Sequence, residues 1–283
     1  MERLLLGDLI KWKNSSDRKP LVLQGARQVG KTWLLEEFAK TQYENYVYLN
    51  FDKNRNLAEY FKNDLDINNL IRGLEIEFSA KIVPGKTLLI FDEIQESPRA
   101  IDSLKYFYEY ARQYHVVSAG SFLGLASEKF PVGKVDRLTL FPLNFQEFLL
   151  AMGEQQLADL ISQKQFNLIR VLSGKYTSLL KLYFYVGGMP KVLERFSQNS
   201  DFEEVRRIQE SLLTDYEADF SKHIKGTNIP KVKMIWNSIP IHLSREKKKF
   251  IYKELAVGAR ASAFEDALDW LVRCGLVYRV DRT

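Results

Sequence analysis

The sequence predicts an α/β fold built on a parallel five-stranded sheet, on three observations. Short apolar runs alternate with helical periodicity through the first half of the chain, the pattern of a sheet covered by helices on both faces. A glycine-rich segment, Gly25 to Thr32, falls between one such run and a helical stretch. A fully apolar run, Leu88 to Phe91, ends in two carboxylates, Asp92 and Glu93.

Leu21-Val22-Leu23 follows Pro20 and reads as the first buried strand. Lys31 to Lys40 reads as a helix, with Leu34, Leu35, Phe38 and Ala39 on one face. Tyr46 to Asn50 is a second strand, and helical stretches follow near 55–63 and 67–81. Pro84-Gly85 turns the chain into Thr87 to Phe91, a central strand covered on both sides. A helix over 99–113 leads to a fourth strand at Val116 to Ala119, and Val135 to Phe141 supplies a fifth. After Pro142 the periodicity turns helical, with breaks at Gly153, Gly174, Gly187-Gly188 and Pro230. The last stretch reads as a helix-turn-helix unit ending in a strand, Leu276 to Val280. Its Ser262-Ala-Phe-Glu265 has capping-box spacing, and Phe264, Ala267, Leu268, Leu271 and Val272 share one face. These textures divide the chain into a core at 1–143, a helical lid at 144–244 and a winged-helix-like segment at 245–283.

Composition narrows the classes. The 283 residues, 46% hydrophobic and 27% charged, suffice for a packed core of one large or two ordinary domains. No apolar stretch approaches the roughly 18 residues of a membrane span. The run Leu4, Leu5, Leu6, Leu9, Ile10 is interrupted by Asp8 and has no small-residue cleavage site, so a signal peptide is not expected. A single cysteine, Cys274, excludes an internal disulfide, and the cytoplasm is the expected compartment. His115, His223 and His242 lack metal-ligand spacing and read as structural. The net charge of +5 sits partly in Lys247-Lys248-Lys249, which reads as a solvated face.

Two motifs carry chemistry. Gly25-Ala26-Arg27-Gln28-Val29-Gly30-Lys31-Thr32 fits G-x-x-x-x-G-K-[ST], the P-loop pattern. Its glycines let the backbone curl so that successive N–H groups, with those of the following helix start through Trp33, face a phosphate chain. Lys31 would bring a positive charge to the outer phosphates, and the Thr32 hydroxyl would ligate Mg²⁺. In the second motif the strand delivers Asp92 to hold Mg²⁺ and Glu93 to orient or deprotonate an attacking water. Both lie where open α/β sheets bind ligands, at the carboxyl ends of strands. Ser121, or alternatively Ser118, would sense the γ-phosphate from the end of the fourth strand.

In order, Gln24 to Thr32, Phe91-Asp-Glu-Ile-Gln95, Ala119-Gly-Ser121, Phe141-Pro-Leu-Asn-Phe-Gln-Glu-Phe148 and Gly187-Gly-Met-Pro190 form a recognisable series. On these motifs the chain resembles the bacterial and archaeal AAA-type ATP-binding proteins, related to the STAND ATPases, that carry a nuclease-like C-terminal domain of unknown function. The resemblance implies that Pro190, in a G-x-P element, packs on the adenine. It also implies a Gly-Arg pair ahead of Phe141. Here Gly133 is followed by Lys134, with Arg137 nearby, and lysine lacks the planar fork of an arginine finger. Family members continue into a further domain, so a chain ending at Thr283 is expected to be truncated or trimmed.

The leading expectation is a Mg²⁺-dependent ATPase that acts as a conformational switch or motor on an unidentified protein partner, with a homo-oligomer possible. A nucleic-acid-binding module using residues 245–283 is the alternative. It is disfavoured because Ser262 to Cys274 carries Glu265, Asp266 and Asp269 against Arg273 alone. A nucleotide-binding scaffold without turnover is the third reading. No membrane partner is expected.

Overall fold

A computed structural model describes residues 1–61, 66–121, 130–223, 228–247, 249–256 and 260–280, without the side chains of 222 and 223. The chain opens with helix α1 (Leu5–Asn14), which lays Leu9 and Trp12 on the core. Among the described residues five strands follow: β1 (Leu21–Gly25), β2 (Asn45–Asn50), β3 (Thr87–Asp92), β4 (His115–Ser121) and β5 (Asp136–Leu140). They form one parallel sheet in the order β2-β3-β4-β1-β5. This is the α/β fold the alternation predicts.

Why the strands sit there follows from burial. β3 and β4 are buried along their whole length, as expected of strands covered on both faces. Alternate side chains feed two cores. Leu21, Leu23, Leu88, Ile90, Val117 and Ala119 face one side, where α1 and α2 (Lys31–Gln42) pack with Leu34, Leu35 and Phe38. Val22, Leu49, Leu89, Phe91 and Val116 face the other, under α3 (Ile67–Phe78) and α4 (Pro98–Tyr110). Asp66 caps α3 and Ser97 caps α4, each accepting from a backbone N–H of the first turn. The stretch at Arg55–Phe61 is a 3-10 helix.

Past the sheet the chain is helical: α5 (Phe145–Ala151), α6 (Gln155–Ser162), α7 (Phe166–Val171), α8 (Ser173–Val186), α9 (Pro190–Asn199), α10 (Phe202–His223), α11 (Ile229–Ser244) and α12 (Ala261–Arg273). Phe148, Leu157, Tyr176, Val192, Phe196 and Leu212 build a third core from α5 to the first half of α10. Hydrophobic packing then changes hands within α10. Tyr216 and Phe220 join the first core, with Val232 and Ile235 of α11 and Phe264, Ala267 and Leu271 of α12. No helix among the described residues is long and apolar enough to cross a membrane.

The tail departs from expectation twice. Residues 277–280 are not a strand and pair with neither edge of the sheet; Tyr278 packs against the ring of Phe141. Ser262 and Glu265 form no capping box, since α12 starts two residues earlier than that box requires, at Ala261, with Arg260 in the cap position and no side-chain cap bond. A capping box does form at α5. Asn144 accepts from the Glu147 N–H, and Glu147 accepts from the Asn144 N–H. Lys248, in the middle of the lysine run, lies outside the described residues.

One glycine fixes the start of α9 against the segment that joins β5 to α5. The Gly188 carbonyl accepts from the Leu143 N–H at 2.7 Å, and a Cβ on Gly188 would stand 2.1 Å from the Leu143 carbonyl oxygen. Gly188→Ala should therefore cost more than about 2 kcal/mol. Gly174→Ala, in α8 with no atom within 4 Å of the added methyl, should gain about 0.5 kcal/mol. Urea unfolding midpoints compare them, and equal midpoints would contradict the close approach.

Candidate functional site

The loop between β1 and α2 is shaped by its neighbours as much as by its own glycines. Gly25 ends β1 beside β5, and a Cβ there would lie 2.3 Å from the Leu140 carbonyl oxygen. Gly30 caps α2 in the left-handed region, at φ 92°. Gln28 is also left-handed, at φ 63°. Val29 is fully buried in the first core and anchors the loop from below. Lys31, Thr32 and Trp33 open α2, where first-turn N–H groups have no helical acceptor. The Lys31 side chain folds back and its Nζ donates to the carbonyls of Gly25 and Ala26 at 3.1 and 2.9 Å.

The carboxylates expected beside this loop lie beside it. β3 ends at Asp92, which is 2% exposed, and the Thr32 hydroxyl donates to its Oδ2 at 2.8 Å. Glu93 follows in the left-handed region, at φ 50°, and its carboxylate accepts from Gln95 Nε2 at 2.5 Å. Both carboxylates pull on the Lys31 charge, but burial outweighs them and pushes that ammonium down to about 8. Ser121 ends β4, in register with Gly25, on the strand between β1 and β3. Ser118, the alternate, points elsewhere: it is fully buried and donates to the Leu21 carbonyl at 3.0 Å, within the sheet.

Several groups around the loop gave no signal in the sequence. Arg3 is buried with Glu147, Nε to Oε1 at 3.1 Å. The same guanidinium donates to the carbonyl of Val29 at 2.8 Å and of Phe141 at 2.5 Å. Glu147 sat in a legible capping pattern, but nothing in the order of residues links it to Arg3. At the other end of the loop Arg27 pairs with Asp219, which is 3% exposed. Tyr216 donates to the Arg27 carbonyl at 2.7 Å, and Gln28 donates to Asp215 at 2.9 Å. All three partners lie on α10. Tyr48 and Asn50, from β2, stand beside Asp92.

Pro190 starts α9 and comes close to the loop: a Cβ on Gly30 would lie 3.8 Å from its Cγ. Lys134 and Arg137 are not brought to this site. Lys134 pairs with Glu109 at 3.2 Å, Arg137 is level with Val22 at the amino end of the sheet, and the loop lies at the carboxyl end. His115 is held in the core, ring nitrogen to the Tyr43 hydroxyl at 2.8 Å, and burial drives it down to about 4. His242 packs face to face on Phe250. Both fit the structural reading; the side chain of His223 lies outside the described residues. Among the described residues no cluster of His, Cys, Asp and Glu could hold a metal by itself.

The donor set suits a nucleotide with Mg²⁺. A hydroxyl and a carboxylate oxygen, 2.8 Å apart, are the hard ligands that ion takes, and it normally completes its shell with phosphates and water. A left-handed loop, a lysine and a helix start beside them suit the phosphates.

Comparison with known proteins agrees with the fold. Residues 17–149 match the family model of an AAA domain, and residues 177–283 match that of a domain of unknown function. No curated protein matches the chain. Among solved structures, a Walker-type ATPase of Pyrococcus abyssi is 14% identical, over 96% of this chain and 89% of that one, with a TM-score of 0.58. Drosophila ORC bound to DNA is 14% identical over 95% and 85%, with a TM-score of 0.43. AMPPCP-bound DnaA from Aquifex aeolicus is 12% identical over 95% and 87%, with a TM-score of 0.39. The first likeness is one of fold; the other two are too distant to carry an argument.

The buried lysine has a pH signature. Its ammonium sits at about 8 in the folded chain against 10.5 when free. Between those values the unfolded chain holds a proton that the folded chain has lost. The penalty on folding is thus complete below about pH 8 and fades as pH rises toward 10.5. Lys31→Met removes the group. The stability of the wild type relative to this variant should rise by roughly 2 kcal/mol between about pH 7.5 and 10, by urea unfolding without nucleotide. A difference flat with pH would mean the ammonium is solvated.

Proposed function

We propose that this AAA-type P-loop domain binds ATP with Mg²⁺ at Gly25 to Trp33 and hydrolyses it, using the energy to change the angle between sheet and helical part. The observation that carries the reading is the 2.8 Å contact between Thr32 and Asp92, from motifs 60 positions apart. In this reading the N–H groups of Ala26, Arg27, Gln28, Val29 and Gly30 and of the α2 start hold the phosphates. Lys31 leaves the Gly25 and Ala26 carbonyls for the outer phosphates, whose charge compensates its burial. Thr32 and Asp92 hold Mg²⁺, which would neutralise phosphate charge as it develops. Glu93 orients the attacking water and takes its proton. Ser121, from the strand between the two motifs, senses the γ-phosphate. Pro190 lies against the adenine.

The switch part of the proposal rests on α10. Its first half belongs to the core of the helical part through Val205 and Leu212, and its second half to the sheet core through Tyr216 and Phe220. The same helix grips the loop at Arg27 and Gln28. A loop that rearranges around phosphates would tug on a rod spanning both cores, and a protein partner docked on the helical part would feel the change.

Glu93→Gln keeps the shape of the side chain but removes the base. It should bind ATP within about threefold of wild type and lose at least about a hundredfold in turnover. Equal, negligible rates in both proteins would leave a scaffold instead of an enzyme. Arg27→Ala should retain binding and uncouple the helix. Amide hydrogen exchange along 202–221 should respond to Mg²⁺ and AMPPNP in the wild type and lose most of that response in the variant; an undiminished response would break the link through α10.

A further inference from the structure

We propose that Tyr48 is a positioning residue of the divalent-cation site, holding Asp92 through a phenol proton that Asn50 aims. The proposal rests on the reading that Thr32 and Asp92 bind Mg²⁺ with ATP. β2 runs parallel to β3, with Tyr48 opposite Ile90 and Asn50 opposite Asp92, so both side chains reach the carboxyl end of β3. The Tyr48 hydroxyl donates to Asp92 Oδ2 at 2.5 Å, and Asn50 Nδ2 donates to the Tyr48 oxygen at 3.1 Å.

The chemistry of the donors sets the direction of this relay. The Lys53 N–H donates to Asn50 Oδ1 at 2.8 Å, which identifies that end of the amide as the oxygen. The other end is an NH₂ that can only donate. The phenol oxygen is its acceptor, so the single phenol proton is left for Asp92. Asp92 therefore receives three donors: Thr32 and Tyr48 on Oδ2, and the Glu93 N–H on Oδ1 at 3.0 Å. Thr32 is the one that must turn its oxygen to a cation, keeping its proton on Asp92 while it does so. Tyr48 and the Glu93 N–H, neither of them drawn to the cation, are the donors on Asp92 left free to hold the carboxylate in plane. Partners that orient a metal-binding carboxylate commonly set metal affinity by an order of magnitude or more.

Tyr48→Phe keeps the ring, which packs against the first core, and removes only the hydroxyl. Two measurements separate the roles. AMPPNP affinity is taken by calorimetry in EDTA, and Mn²⁺ affinity of the protein–AMPPNP complex by electron paramagnetic resonance. The expected result is AMPPNP affinity in EDTA within about twofold of wild type and Mn²⁺ affinity lowered roughly tenfold. Asn50→Leu, which leaves the hydroxyl but unaims it, should lower Mn²⁺ affinity about threefold and serves if Tyr48→Phe folds poorly. Mn²⁺ affinity unchanged in the folded variants would overturn the role of Tyr48 while leaving the ATP–Mg²⁺ site standing. A wild type that binds AMPPNP but adds no Mn²⁺ beyond free nucleotide would overturn the cation site itself and this proposal with it.

Discussion

The guanidinium of Arg3 is out of water, and its partners exist only where three separate segments meet. It takes the Glu147 carboxylate from α5, the Val29 carbonyl from the loop and the Phe141 carbonyl from the end of β5. A buried charge without such partners costs several kcal/mol, so the ion pair is tolerable only in the assembled fold. Glu147 is equally committed: its other contacts are the N–H groups of Leu4 and Asn144. The pair thus sets where the chain start, the loop from Gly25 to Thr32 and the first helix after the sheet lie relative to one another. The candidate site inherits its geometry from that junction.

The loop is held at its other end by a different kind of contact. Arg27 is half exposed, while its partner Asp219 is buried, so the pair sits at a boundary where water can reach one side. Such a contact can open at less cost than the Arg3 junction can. One end of the loop is anchored and the other is latched. A latch on α10 is well placed for a switch because that helix belongs to two cores at once. The proposed function draws on this asymmetry: phosphate contacts made at the loop compete most readily with the contacts that are easiest to break.

How much was legible varies by element. The strands of the sheet's middle could be read because Leu21 to Leu23 in β1, Leu88 to Phe91 in β3 and Val116-Val117 in β4 are short apolar runs, with helices covering both faces of the sheet. The closeness of Thr32 and Asp92 followed from both motifs ending strands of one parallel sheet. The strand order did not follow, and with it went the position of β4 between β1 and β3, which puts Ser121 level with Gly25. Residues 276–280 have the apolar composition of a strand but pair with neither edge of the sheet, since pairing is a property of neighbours. Ser118 and Ser121 look alike in sequence; the first turns inward to a backbone carbonyl.

By itself the sequence determined the things that depend on local order: the alternation that makes an α/β sheet, the glycines that let the backbone curl ahead of α2, and the carboxylates at the end of a buried strand. Only the tertiary structure decided what surrounds them. Arg3, Tyr48, Asn50 and Asp219 come from distant segments, and each acts through a polar contact formed after folding has excluded water. Desolvation is the reason for the division. A charged or hydroxyl group has no preferred partner while it is hydrated, so its role is written in the packing that takes the water away.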